Sequence, residues 1–193
     1  LARTRAVLLQ QTRLQFPFTT REVVAMGRHA LDSRDDDDDE ADRAVDAALE
    51  RTQTSALAGR TVTTLSGGEG QRVAIARLLA QQAPVVLLDE PTSALDLRHQ
   101  QLVAGIAREL ARAGVAVLVV LHDLNLAASC ADRIAIMDEG RVAAIGEPWE
   151  VLRSDLLSEV FAHPVTVIHD PIRGCPLVLP LPASHPPIGV ATT

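Results

Sequence analysis

Val85-Val86-Leu87-Leu88-Asp89-Glu90-Pro91-Thr92-Ser93-Ala94-Leu95-Asp96 is the stretch whose reading decides the fold. Four apolar residues in a row, closed by two carboxylates, predict a parallel strand buried on both faces. The carboxyl end of such a strand is where open α/β sheets bind ligands. Asp89 and Glu90 therefore stand at a candidate site, one able to hold a divalent cation and the other to polarise an attacking water. Alone, the pair also reads as the polar end of an ordinary strand.

Downstream, Ser93-Ala94-Leu95-Asp96 reads as a helix N-terminus with Asp96 as its cap. A helix is expected from about Arg98 to Arg112, with Leu102, Ile106 and Leu110 at spacing four and Gly114 closing it. Val115–Leu121 is a second apolar run, again predicted as a strand buried on both faces. It ends in Leu121-His122-Asp123, which brings His122 to the same sheet edge as Glu90. Asp123 can cap a short helix. Ile134-Ala135-Ile136 and Val142–Ile145 are strand candidates around a turn at Glu139-Gly140. The alternation of strand and helix argues for an α/β parallel sheet.

Upstream lies Leu65-Ser66-Gly67-Gly68-Glu69, just before a helix expected over Glu69–Ala80. A hydroxyl and side-chain-free residues at a helix start present N–H groups to an anion, helped by the helix dipole. The same residues also suit a simple glycine turn capped by Ser66. They do not meet the G-x-G-x-x-G fingerprint, because Val73 stands where the last glycine belongs.

Residues 5–10 are expected to form a strand and 20–28 a short helix capped by Thr20. A further helix follows, with Ala41, Val45, Ala48 and Leu49 on one face. Residues 12–80 carry only helix and loop signals and are expected as a helical subdomain inserted into a sheet domain made of 1–11 and 81–163. Residues 164–193 are expected as a small hairpin followed by a loose tail from Ser184. The chain starts at Leu1 on what already reads as a strand, so it is expected to be an N-terminally truncated piece.

Composition narrows the function classes. Of 193 residues 47% are hydrophobic, enough for a core, and 2% are aromatic with no tyrosine. Stacking platforms for bases are scarce, which argues against single-strand nucleic-acid binding. The run Asp35–Glu40 supplies six of the negative charges behind a formal net charge of −7, and no basic face is evident for phosphate backbones. The run has neither the glycine nor the alternation of a calcium loop, so a solvated loop is the expectation. Cys130 and Cys175 form no C-x-x-C pair, as suits a reducing compartment. The longest apolar run is too short to cross a bilayer. A soluble protein able to dock on a membrane partner is expected.

Taken together, Leu65–Glu69, the apolar run with Asp89-Glu90-Pro91-Thr92-Ser93, Ala94-Leu95-Asp96 and His122-Asp123 resemble the ABC ATPase family in sequence and order, from Arg5 to about residue 160. That resemblance implies a P-loop NTPase-type (RecA-like) α/β fold with a mostly parallel sheet and an inserted helical subdomain. It implies ATP and Mg2+ as ligands and a head-to-tail homodimer at the cytoplasmic face of the inner membrane. Ser66, Gly67, Gly68 and Glu69 would form the signature loop, which contacts the γ-phosphate of ATP held by the opposite subunit. Asp89 would be the Walker B aspartate on Mg2+, Glu90 the catalytic glutamate and His122 the switch histidine. Asp96 would lie on the loop that crosses the dimer. Gln10, favoured over Gln11 by the Ala6-Val7-Leu8-x-Gln spacing, would sense Mg2+ and water and couple to a transmembrane permease subunit. A periplasmic substrate-binding protein would be an indirect partner, and nucleic acid none.

Two departures stand out. Gly70 occupies the first helical turn after the signature, at a cost of up to about 1 kcal/mol against a good helix former. No G-x-x-x-x-G-K-[ST] occurs in the 193 residues, so the phosphate cradle and its lysine are missing from them. The expectation is that the full-length protein hydrolyses ATP while these residues alone do not; a non-catalytic interaction module is the alternative. Phe16–Thr19, Glu22–Arg28, Asp96–Gln100, His122–Ala128 and the His163 and Cys175 regions are similar to the heme (hemin) import ATPases. Siderophore and cobalamin importers remain alternatives. His163 and His169 read as surface histidines rather than heme ligands.

Overall fold

A computed structural model describes residues 4–9, 17–30 and 38–182. Two compact units divide the chain, Leu1–His122 and Asp123–Thr193. The boundary differs from the one expected at 163/164, because among the described residues the strands after His122 pair with each other and not with the first sheet.

The first unit is built on three parallel strands in the order β1 (Ala6–Leu8), β2 (Val85–Asp89) and β3 (Ala116–Val120). The register sets Leu8 beside Leu88 and Asp89 beside Val120. Between β1 and β2 come α1 (Thr20–Ala25), α2 (Asp38–Arg51) and α3 (Gly67–Ala80), and α4 (Leu97–Arg112) joins β2 to β3. The core gathers Ala6, Leu8, Val86 and Leu88 from one sheet face with Val73, Ala76 and Leu79 of α3 and Val103 and Ile106 of α4. These helix positions recur every three residues, which keeps them on one side.

Burial is one-sided, contrary to the expectation from the apolar runs. Leu118 is 64% and Val120 48% exposed, and Val7 of β1 is also exposed. Among the described residues the helices of this unit lie against the Leu8–Val86–Leu88 face, so the opposite face keeps apolar side chains uncovered. Their composition follows two-sided burial, but their surroundings here do not provide it.

Local chemistry shifts several boundaries by a residue or two. Thr19, not Thr20, caps α1: its hydroxyl accepts from the Glu22 N–H and the Glu22 carboxylate accepts from the Thr19 N–H. Thr20 is instead buried, its hydroxyl donating to Arg60 O at 3.2 Å. Asp38, Asp39 and Glu40 form the first turn of α2 and no solvated loop, as the helix dipole favours; Asp35–Asp37 lie outside the described residues. Arg21 on α1 pairs with Asp42 and Asp46 on α2.

The second unit holds α5 (Leu124–Cys130), the antiparallel pair β4 (Ile134–Asp138) and β5 (Arg141–Gly146), α6 (Pro148–Val151), α7 (Ser154–Val160), and the antiparallel pair β6 (Val165–His169) and β7 (Pro176–Pro180). Ala128, Ile134, Ile136, Val151, Leu152, Leu157 and Val178 form its core. Asn125 pegs α5 to β7, donating to Val178 O at 3.1 Å and accepting from Val178 N–H at 2.7 Å. The hairpin expected at Val165–Val167 and Leu177–Leu179 is present; Ser184–Thr193 lie outside the described residues.

Gly27, just past α1, approaches α3 so closely that an added Cβ would stand 2.2 Å from Arg77 O. Gly105, exposed on α4, has nothing within 4 Å. Gly27→Ala should therefore cost about 2 kcal/mol through forced backbone shifts. Gly105→Ala should gain up to about 1 kcal/mol from helix propensity. Urea unfolding of both variants checks the opposite signs.

Candidate functional site

The site begins where β2 stops. Glu90 carries φ 46°, a left-handed conformation rare for a residue with a side chain. Three hydrogen bonds hold it there. Glu90 N–H donates to Val120 O at 3.2 Å, and Ser93 donates to Glu90 O from its N–H at 3.3 Å and its hydroxyl at 3.1 Å. Backbone held in a sparse region by its surroundings is a mark of functional sites. The turn sends the Glu90 carboxylate toward the neighbouring strand, where His122 follows β3 by two residues. Glu90 Oε1 and His122 Nε2 stand 2.6 Å apart. The carboxylate side chain is 16% exposed and the imidazole 79%, so the pair has a sheltered half and an open half. Asp89, partly buried, is the last residue of β2. Both carboxylates and the histidine thus share one edge of the sheet. β1 runs parallel to β2 and ends at that same edge; Gln10 lies outside the described residues.

Ser66, exposed, is the N-cap of α3. Its hydroxyl accepts from Glu69 N–H at 3.3 Å, and Glu69 Oε2 accepts from Ser66 N–H at 2.8 Å. This capping box starts α3 two residues before the expected Glu69, and the helix passes through Gly70 without interruption. The box offsets the poor propensity of that glycine. Ser66 N–H holds the Glu69 carboxyl below the usual glutamate range, with help from the Ser66 hydroxyl and Arg60. Arg60 itself donates to Glu69 Oε1 at 3.2 Å. Nothing lies within 4 Å of a Cβ built on Gly67, which leaves an open approach to the helix start. Such an end suits an anion.

The loop after Glu90 connects the two regions within the chain. A Cβ on Gly68 would stand 3.2 Å from Ala94 O, and the Gln71 side-chain amide donates to Pro91 O at 3.3 Å. Asp96 caps α4, accepting from His99 N–H at 2.9 Å with the His99 ring 2.7 Å from the same oxygen. The His99 N–H lowers the Asp96 pKa first of all, and the ring adds to the effect. The structural reading of Ser66 and Asp96 as helix caps therefore holds beside any ligand role. Gln71 and Arg60 escaped the sequence reading. Gln71 lies within the helix expected over Glu69–Ala80 with no signal of its acceptor, and nothing in the composition near Arg60 points to Glu69.

Among the described residues no cluster of three or more His, Cys, Asp or Glu side chains could cage a metal. The donor set suits Mg2+, which takes one or two carboxylates and completes its shell with water and phosphate oxygens. Asp89, the carboxylate that ends β2, is of the residue type that could supply such a ligand. His163 bonds Leu181 O at 2.9 Å and His169 stacks on Trp149, so both have structural work. No helix among the described residues is long and apolar enough to cross a membrane.

An open parallel sheet with an acid-ended central strand, and with helices between successive strands, has the α/β fold of the P-loop NTPase type. The chain belongs to the ABC transporter family, whose sequence model matches residues 1–93 and whose members align along nearly its whole length. Hemin import ATP-binding protein HmuV of Nocardia farcinica is 55% identical over 183 residues, covering 94% of this chain and 62% of that protein. Its counterpart in Rhodopseudomonas palustris is 47% identical over 188 residues, covering 93% and 68%. The chain spans about three fifths of the length of the curated relatives it matches first. A solved inward-facing structure of a proposed metal-chelate type ABC transporter superposes with TM-score 0.78 at 27% identity, covering 92% of this chain and 73% of that one. A dimeric ATP-binding cassette bound to ADP and Pi superposes with TM-score 0.64 at 29% identity, covering 76% and 63%.

Because the Glu69 carboxyl is held low, its support for the helix start is complete above its ordinary value of 4.5 and is lost as pH falls through the depressed value. Acid titration followed by NMR at the Ser66 N–H should give a midpoint below 4.5, and Glu69→Gln should abolish the titration there.

Proposed function

We propose that the whole protein is the ATP-hydrolysing subunit of an importer for heme, working as a head-to-tail homodimer on a transmembrane permease subunit. The observation that carries the reading is the 2.6 Å contact between Glu90 and His122 at the carboxyl end of the parallel sheet. Relatives named as hemin import ATP-binding proteins support the cargo, and dimeric cassettes among the solved neighbours support the assembly. Ferric siderophore or cobalamin is the second reading for the cargo, favoured by the metal-chelate type transporter. Heme against ferric siderophore uptake, in cells carrying the complete operon, separates the two.

In this reading Glu90 accepts the proton of a water aligned on the terminal phosphoryl group, and His122 keeps the carboxylate turned toward that water. Bound Mg2+ would neutralise charge on the phosphate oxygens from Asp89. Ser66, Gly67 and Gly68 would offer a hydroxyl and N–H groups to the γ-phosphate of ATP on the partner subunit, and Asp96 would lie at the crossing. Gln10 would couple the nucleotide to the permease. Phosphoryl transfer asks chiefly for positioning and charge stabilisation, so loss of one well-placed polar group is severe. A periplasmic binding protein would deliver the cargo, and the subunit would sit on the cytoplasmic face of the inner membrane.

Glu90→Gln in the full-length protein should lower ATP turnover by at least about a hundredfold while leaving ATP binding intact. Retention of near-parental turnover would remove Glu90 from this role. The 193 residues alone, without a G-x-x-x-x-G-K-[ST] sequence, should show no ATPase above background in a phosphate-release assay. Turnover by them would overturn the division of labour.

A further inference from the structure

The loop Pro91–Asp96 is suspended between two glutamine side chains. On one side Gln71, one turn into α3 and half-buried, donates to the carbonyl of the buried Pro91 at 3.3 Å. On the other side Gln100, in the first turn of α4, donates to Leu95 O at 3.1 Å. Gly68 closes the contact with α3, since any side chain there would press on Ala94 O. The first residue of the loop, Pro91, is bonded to Glu90, whose own backbone is pinned in the left-handed region by Val120 and Ser93. Five residues before Pro91's partner on α3 sits the Ser66 cap.

Two sites within one chain therefore meet at this loop, and Gln71 is the side chain that hydrogen-bonds them together. A change in the Glu90 turn moves Pro91 O, which pulls on Gln71 and so on the start of α3, where Ser66 and Gly67 are presented. A proline lacks an N–H, so the residue after Glu90 offers only its carbonyl to this link. A buried carbonyl whose donor is removed loses more than the bond, because it is left without a partner.

We infer that Gln71 is a positioning residue that ties the Glu90 turn to the Ser66 helix start, so that the state of one site is passed to the other within the same subunit. The inference rests on the function proposed above for Glu90 and Ser66.

The test uses the full-length protein carrying Gln71→Leu or Gln71→Met, neither of which has a donor, and Gln71→Lys, which supplies one. Without nucleotide, amide exchange at Ser93 and Leu95 should quicken about tenfold in the Leu and Met variants, the loss of one hydrogen bond, and return toward the parent in the Lys variant. With ATP, kcat should fall about tenfold while KM stays within about twofold and Tm is little changed, with recovery in the Lys variant. Exchange and kcat both within twofold of the parent would overturn the inference. So would a kcat loss that follows Tm and persists in Gln71→Lys. A parent without ATPase activity would sink the proposed function instead, and the exchange rates would then decide the tether by themselves.

Discussion

The contact between the Glu90 carboxylate and the His122 ring is what the rest of the arrangement serves. It exists because β2 and β3 are parallel and in register at Asp89 and Val120, so that the next residues leave the sheet side by side. It also needs the left-handed turn at Glu90, which an ordinary strand end would not adopt. A conformation that costs on the order of 1–3 kcal/mol persists only where surrounding bonds over-determine it. Here Val120 and both donors of Ser93 do so.

Structural and chemical duties coincide at the helix starts. Ser66 caps α3 and Asp96 caps α4, each through its side-chain oxygen. A cap residue is also the residue whose hydroxyl or carboxylate stands beside unsatisfied N–H groups, so the same geometry that begins the helix presents it to a ligand or a partner surface. Replacing such a residue removes both effects at once, which is why truncation there confuses stability with activity.

Much of this was legible in the sequence. The apolar run Val85–Leu88 with its two acids announced the central strand, and the run ending at His122 announced the neighbour. The carboxyl-edge rule for open sheets then put Glu90 and His122 together. Three things were not legible. One-sided burial of β3 depends on what covers the sheet, and the residues Leu118 and Val120 look the same either way. Among the described residues β4 and β5 pair with each other and join no strand of the first sheet, and where a hairpin docks is something apolar spacing does not encode. Gln71 meeting Pro91 spans 20 residues in sequence, and a glutamine on a helix carries no signal of its distant acceptor.

The central claim is that a complete site joins Glu90 of one subunit to Ser66 of its twin, and subunit mixing tests it most directly. Full-length Glu90→Gln and full-length Ser66→Arg are each made, purified and assayed for ATP turnover, then mixed and allowed to exchange subunits. If the sites form across a head-to-tail dimer, mixed dimers hold one intact pair, and the mixture recovers about a quarter of the parental activity for independent sites and random pairing. A mixture as inactive as its two components, with exchange verified, would contradict the account.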